Sequence, residues 1–304
     1  MGSAGAESLN NAANIFVGQT EAPLMIKPYI KGLTQSEMLT IMIGGFATIS
    51  GGVMAAYIQL LGQAYSIAMH IPLGQAQMMF ATHLLGGSCM AAPAGILIAK
   101  ILYPETEESE TKGKVNVTVD KPGSNIIEAA AAGAGDGLML ALNVGAMLIA
   151  FIAFISLINY LLISFGYTVG INNLTMKWYH QPLNLQLIFG VILQYIAMAI
   201  GVPFNQALQI GSLLGTKVAL NEFVAYVDMG KMIETHQLFD LKAIIMATYA
   251  LCGFANFSSI AIIIGGVSPM APERRGDIAR LGMTALLGGS LATLMTATLG
   301  GIFF

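Results

Sequence analysis

Apolar residues in this chain come in long unbroken runs. Five of them, at 38–61, 76–102, 137–165, 241–266 and 279–304, reach or exceed the roughly 20 residues that a helix needs to cross a bilayer. Three shorter or interrupted runs lie at 15–30, 187–201 and 202–227. Strand-like alternation bounded by turns is missing and the 35 glycines suit membrane helices, so the runs predict helical spans rather than barrel strands.

Composition agrees: 56% of the 304 residues are hydrophobic and 10% charged, against about 25% charged in an ordinary soluble domain. The expected fold is an all-α polytopic membrane protein. A net charge of −3 gives no case for nucleic acid, and two cysteines, Cys89 and Cys252, are too few for a disulfide framework or a metal centre. The 19 methionines are scattered, which suits adaptable helix packing. Met1 is followed by GSAGAESLNN, without the basic flank and apolar core of a signal peptide, so the spans themselves are expected to direct insertion. All three arginines, Arg274, Arg275 and Arg280, sit in APERRGDIAR, and that loop is expected on the cytoplasmic face. The C-terminus then faces outward, and the loop 103–125, with Lys112, Lys114 and Lys121, faces inward. The glycosylation triplets at 116–118 and 173–175 are read as coincidence.

Two halves of the chain repeat each other. GFATIS at 45–50 returns as GFANFS at 253–258, and LLGGS at 84–88 returns at 286–290. Ahead of each pair stands a carboxylate in an interrupted apolar segment, Glu21 in GQTEAP and Glu222 in LNEFVAY. An odd number of crossings between the copies makes them inverted. Inverted repeats with segments too broken to span are the pattern of secondary transporters, which bind substrate near the midplane where broken helices meet. A carboxylate facing lipid costs about 2.5–3.5 kcal/mol on insertion scales, so Glu21 is expected at a hairpin tip lining a cavity. A surface loop is the competing reading of GQTEAP, since Gly18 and Pro23 favour a turn.

GQTEAPLMIKPYI, GFATISGG, LNEFVAYVD and GFANFSSIAI, in this order, resemble the concentrative nucleoside transporters from about residue 5 to the C-terminus. The resemblance implies an elevator-type carrier with re-entrant helical hairpins and broken transmembrane helices, working as a homotrimer in the plasma or inner membrane. It also implies nucleoside uptake coupled to a cation. Residues 1–103 would form a first transport repeat with a partial hairpin, 104–133 a cytoplasmic loop and linker, and 134–168 a scaffold span. Residues 183–304 would form the second repeat, with an interfacial helix at 187–201 and a hairpin over 202–228.

Carried over residue by residue, Gln19 and Thr20 would bond the base edge with Glu21 close by, directly or through water. Val53 and Phe254 would make apolar contacts with the base. Glu222, Asn256 and Ser259 would hold the ribose hydroxyls, and a carboxylate accepting from hydroxyls forms strong charge-assisted bonds. Sodium, favoured over protons, would be held by oxygens at Asn14, Val17, Thr48 and Ile49, since hard cations prefer oxygen ligands. No other cofactor is implied, and the substrate is a uridine-like or purine nucleoside. Family members begin with further scaffold helices, so the resemblance also implies an N-terminal truncation. A non-transporting fragment is the alternative that follows from it.

Simpler roles compete at several positions. Thr48 can back-bond within its own helix, Asn256 and Ser259 can be interhelical packing contacts, and the glycine pairs 86–87 and 288–289 permit close helix approach. Asp136, Asn143 and Asn159 have no assigned role, His70 and His180 are expected in loops, and His83 has no partner legible in the sequence. A membrane enzyme using Glu21 and Glu222 as an acid–base pair is the remaining class, but HExxH and GxSxG motifs are absent.

Overall fold

The computed structural model describes residues 3–113, 125–179 and 181–304. Lys114, Lys121, the triplet at 116–118 and His180 lie outside them, as do the side chains of Asp136 and Asn143. The described residues fold into helices, α1 Gly5–Ala13, α2 Gln35–Ala47, α3 Gly51–Met69, α4 Leu73–Leu102, α5 Ile126–Val169 and α6 Ile171–Tyr179. They continue with α7 Leu185–Ala199, α8 Ala207–Ala219, α9 Glu222–Glu234, α10 Leu241–Leu251, α11 Phe257–Val267 and α12 Arg275–Ile302. A 3-10 segment, Ala22–Gly32, follows α1, and Pro23 and Pro28 deny it the donors of a regular α-helix.

The chain divides into two compact units, one of Met1–Val117 with Phe189–Phe304 and the other of Thr118–Ile188. In the first unit the order of elements occurs twice: a hairpin, a broken helix, then one long helix. The first copy is α1 with the 3-10 segment, then α2 and α3, then α4. The second is α8 with α9, then α10 and α11, then α12. The run at 38–61 is therefore two helices interrupted at residues 48–50 within a longer apolar stretch, Gln35–Met69. The run at 241–266 is likewise interrupted between Leu251 and Phe257, and its halves, at 11 residues each, are too short to cross a membrane singly.

Local chemistry sets where these pieces start. Thr34 caps α2 in a reciprocal box, its Oγ1 accepting from Glu37 N at 3.0 Å while Glu37 Oε2 accepts from Thr34 N at 2.9 Å. Asn221, Asp240 and Asn256 cap α9, α10 and α11, each side chain accepting a backbone N–H at 2.9 Å. Such a cap contributes about 1 kcal/mol. His70, in the left-handed region at φ 53°, closes α3.

Packing crosses the two copies. One buried cluster joins the first hairpin and α2 to α11 and α12 through Ile26, Ile43, Phe46, Ile263 and Leu281. Another joins α3 and α4 to the second hairpin and α10 through Tyr57, Leu84, Leu213, Tyr226 and Leu251. The LLGGS glycines make the crossing possible. A methyl added at Gly87 would meet Tyr249 at 3.1 Å and Cys252 Sγ at 3.3 Å, and one at Gly289 would meet Phe46 Cβ at 2.6 Å. Each glycine pair thus receives the broken helix of the other repeat.

In the second unit α5 and α6 meet at a 107° bend, where Gly170 takes φ 82°. Asn172 secures the corner, donating to Ile163 O and accepting from Leu183 N, both at 2.9 Å. Asn159 finds its role here too, bonding Gln186 Oε1 at 3.0 Å and Leu185 N at 2.8 Å.

Candidate functional site

The two helix breaks touch. Gly253 follows α10 with φ 148°, a conformation that L side chains avoid, and a methyl there would lie 2.7 Å from Phe46 O and 2.9 Å from Ala47 O. The first hairpin reaches the same place, where Phe16 O accepts from Gly51 N, the first residue of α3, at 2.9 Å. Backbone freed from helical bonding on both repeats is therefore gathered beside the hairpin tips.

Glu222 lies at the first turn of α9 and is buried. Tyr57 OH donates to its Oε1 at 3.1 Å and Asn256 Nδ2 to its Oε2 at 3.0 Å. Asn256 Oδ1 in turn accepts from Ser259 N at 2.9 Å and from Ser258 Oγ at 2.6 Å. Asn256 and Ser259 are thus a helix cap and the residue it caps. Gln19 Nε2 donates to Ser259 Oγ at 3.4 Å, which brings the first hairpin to the second broken helix. The structure joins five groups in one network: Gln19, Ser259, Asn256, Glu222 and Tyr57. Two donors engage the lone pairs of this buried carboxylate and so offset part of the cost of enclosing it.

The other expected substrate residues lie around this network in different ways. Val53 and Phe254 are half-buried and pack against the cluster that contains Tyr57. Thr20 is half-buried with its methyl against α11, where a Cβ on Gly266 would collide with it. Glu21 is exposed and its carboxylate folds back over Gly18.

The four residues expected at sodium flank the first helix break. Asn14 caps α1 at its C-terminus with 0% exposure, and neither Nδ2 nor Oδ1 has a partner. Leaving a buried polar group unpaired costs about 1–3 kcal/mol, and an amide oxygen is a suitable ligand for a hard cation. Thr48 is extended at the end of α2, and its Oγ1 donates to Gly44 O at 2.9 Å, the back-bond weighed from the sequence. The hydroxyl oxygen keeps its lone pairs after that donation. Ile49 is fully buried, and Val17 is exposed.

Two residues were missed by sequence reasoning. Tyr57 stands one helical turn after Val53, so helical spacing alone could have drawn attention to it. Lys217, in the last turn of α8, is 2% exposed, and an isolated charge inside a run of apolar residues was its signal. His83, unpartnered in the sequence, lies 3.1 Å from Tyr249 OH through Nδ1.

Comparison with known proteins agrees with this architecture. The family described as Na+ dependent nucleoside transporter C-terminus matches residues 83–301, and the one described as Nucleoside recognition matches residues 1–64. An uncharacterized transporter of Haemophilus influenzae is 48% identical over 308 residues, covering 100% of this chain and 67% of its own. The nucleoside permease NupC of Helicobacter pylori is 41% identical over 307 residues, covering 100% of this chain and 66% of its own. A solved structure of CNTnw in an inward-facing substrate-bound state superposes with a TM-score of 0.83 at 42% identity, covering 99% of this chain and 66% of that one. The chain thus spans about two thirds of the length of the bacterial relatives it matches. On sequence, fold and the two family matches together, the chain belongs to the sodium-dependent, or concentrative, nucleoside transporter family.

Proposed function

We propose that this chain binds a nucleoside and a sodium ion together and carries them across the cell membrane as a symporter. The observation that carries the reading is the buried Glu222 carboxylate, held by Tyr57 and Asn256 where the second hairpin meets both broken helices. Ribose offers vicinal hydroxyls, and Glu222, Asn256 and Ser259 can accept from and donate to them. A base edge needs both donors and acceptors, which Gln19 and Thr20 supply, with Glu21 beside them. Val53 and Phe254 give the base its apolar contacts. Sodium is assigned to Asn14, Val17, Thr48 and Ile49, and the unpartnered Asn14 amide supports that assignment.

The coupling then has a physical route. Two of the cation ligands, Asn14 and Val17, belong with Gln19 to one short stretch, 14–19, whose carbonyl at Phe16 is tied to the start of α3. Ordering that stretch around a cation orders Gln19 for the nucleoside, so each ligand raises the other's affinity. We further assign 1–103 and 183–304 to the two transport repeats, 104–133 to the cytoplasmic linker and 134–168 to a scaffold span, in a homotrimer. Titration of uridine into the purified protein, in sodium and then in choline, tests the reading. Saturable binding that weakens in choline is expected. Equal binding in the two salts would remove the sodium assignment, and turnover of a nucleoside would return the enzyme reading.

A further inference from the structure

Lys217 is a fully enclosed cation for which nucleoside and sodium binding provide no use. Its Nζ donates to Ala250 O at 2.9 Å and to Thr293 Oγ1 at 3.2 Å. Thr293 Oγ1 passes a hydrogen bond on to Ser290 O at 3.0 Å, in the second LLGGS motif. Among the described residues no carboxylate lies within 4.0 Å of it. An ammonium placed so deep is expensive; the Glu222 carboxylate acts on it from beyond ion-pair distance, and the direct contact is with the negative end of a helix. Ala250 is the penultimate residue of α10, and the neighbouring Thr248 O is taken by Tyr226 OH at 2.8 Å.

Aligning the repeats shows what that end corresponds to. In the first copy α2 runs through GFA and stops at Ala47, and the freed backbone that follows is assigned to sodium beside Asn14 at the end of α1. In the second copy α10 stops at Leu251, ahead of GFA, so its helix ends about one turn earlier. There the group beside the carbonyls, from the last turn of α8, is Lys217. Each copy thus sets a hairpin helix end against a broken-helix end.

We infer that the Lys217 ammonium is the tethered counterpart, in the second repeat, of the diffusible cation in the first, a positioning residue that holds the end of α10. The break that follows carries Phe254 and Asn256, so fixing Ala250 fixes where they stand. What Phe254 and Asn256 do there rests on the proposed nucleoside site, and the correspondence with the first repeat on the proposed sodium site; the ammonium's role at the end of α10 rests on neither.

Thermal unfolding of the purified protein in choline, sodium or ethylammonium chloride tests this with three proteins. Lys217→Met keeps the apolar stem without the charge, and Lys217→Ala opens a space for a small cation. The expected result is a lower melting temperature for both variants in choline, with recovery in ethylammonium or sodium for Lys217→Ala only. Wild-type melting of Lys217→Met, or a Lys217→Ala deficit that no cation relieves, would overturn the inference. If Lys217→Met yields no folded protein, Lys217→Ala prepared in ethylammonium decides alone. Uridine titration gives the second readout: about tenfold weaker binding by Lys217→Met with its sodium dependence intact is expected of a group acting through α10. Cation rescue of melting in a protein that binds no uridine would uphold Lys217 and sink the nucleoside reading.

Discussion

The two repeats share a plan and differ in what they leave open. In the first hairpin Asn14 is buried with both amide atoms unpartnered, and Glu21 lies exposed over Gly18. In the second, Glu222 has a donor on each oxygen, and Lys217 has acceptors on α10 and α12. The first hairpin is built from a nine-residue helix and a proline-interrupted 3-10 segment, the second from two 13-residue α-helices. The first copy thus leaves the Asn14 amide unpartnered, whereas the second engages both oxygens of Glu222 and the ammonium of Lys217. Inverted duplication supplies the scaffold, and unequal satisfaction of buried polar groups supplies the chemistry.

Removing the frame is expected to have the largest effect. Glu222→Ala leaves Tyr57 OH and Asn256 Nδ2 aimed at nothing and deletes the acceptor for ribose, so uridine affinity should fall about hundredfold, or about 3 kcal/mol. Titration in sodium reads this directly, and undiminished affinity would mean the carboxylate is structural only. Tyr57→Phe removes one hydrogen bond to a charged acceptor, worth about 1.5–3 kcal/mol, and should weaken uridine by about tenfold or somewhat more. Because Glu222 then keeps only Asn256 as a donor, the protein should also melt at a lower temperature than wild type.

Completing the open copy artificially is the converse test. Asn14→Leu replaces the unpartnered amide by an apolar side chain of similar size, so the empty site should melt no lower, while the sodium-dependent part of uridine affinity disappears. The coupling expected to vanish is about 1–3 kcal/mol. A variant whose affinity in choline matches wild type in choline, with sodium adding nothing, is the outcome that places Asn14 on the cation. Retained sodium dependence would remove it.

Much of this plan was legible in the amino-acid sequence. Unbroken apolar runs gave the helices, and GFATIS with GFANFS and LLGGS with LLGGS gave the duplication. The breaks themselves were harder to see. Residues 48–50 read Thr-Ile-Ser, without the proline that usually marks an interruption. What stops α2 there is tertiary: Phe16 O takes Gly51 N, and Gly253 presses on the carbonyls of Phe46 and Ala47. Tyr57 was hidden because an aromatic in an apolar run is usually packing. Lys217 was hidden because a lysine near a segment end usually snorkels to water, whereas here its ammonium is bonded to α10 and α12.

The smallest expected effect bears on Thr48, one of the proposed cation ligands. Thr48 Oγ1 spends its proton on Gly44 O, which is enough to explain a threonine at a helix end without any ion. Thr48→Val conserves the shape and removes the hydroxyl. A residue that only back-bonds would lose little, since Gly44 O is at a helix end and such bonds contribute about 1 kcal/mol or less to stability. A hydroxyl that also faces sodium would show a further cost confined to sodium solutions, about threefold in uridine affinity, while affinity in choline stays at the wild-type value. The ratio of the two affinities, rather than either alone, separates the roles. A reduced ratio keeps Thr48 among the ligands of the open repeat; an unchanged ratio leaves the ion to Asn14 and the carbonyls of the hairpin tip.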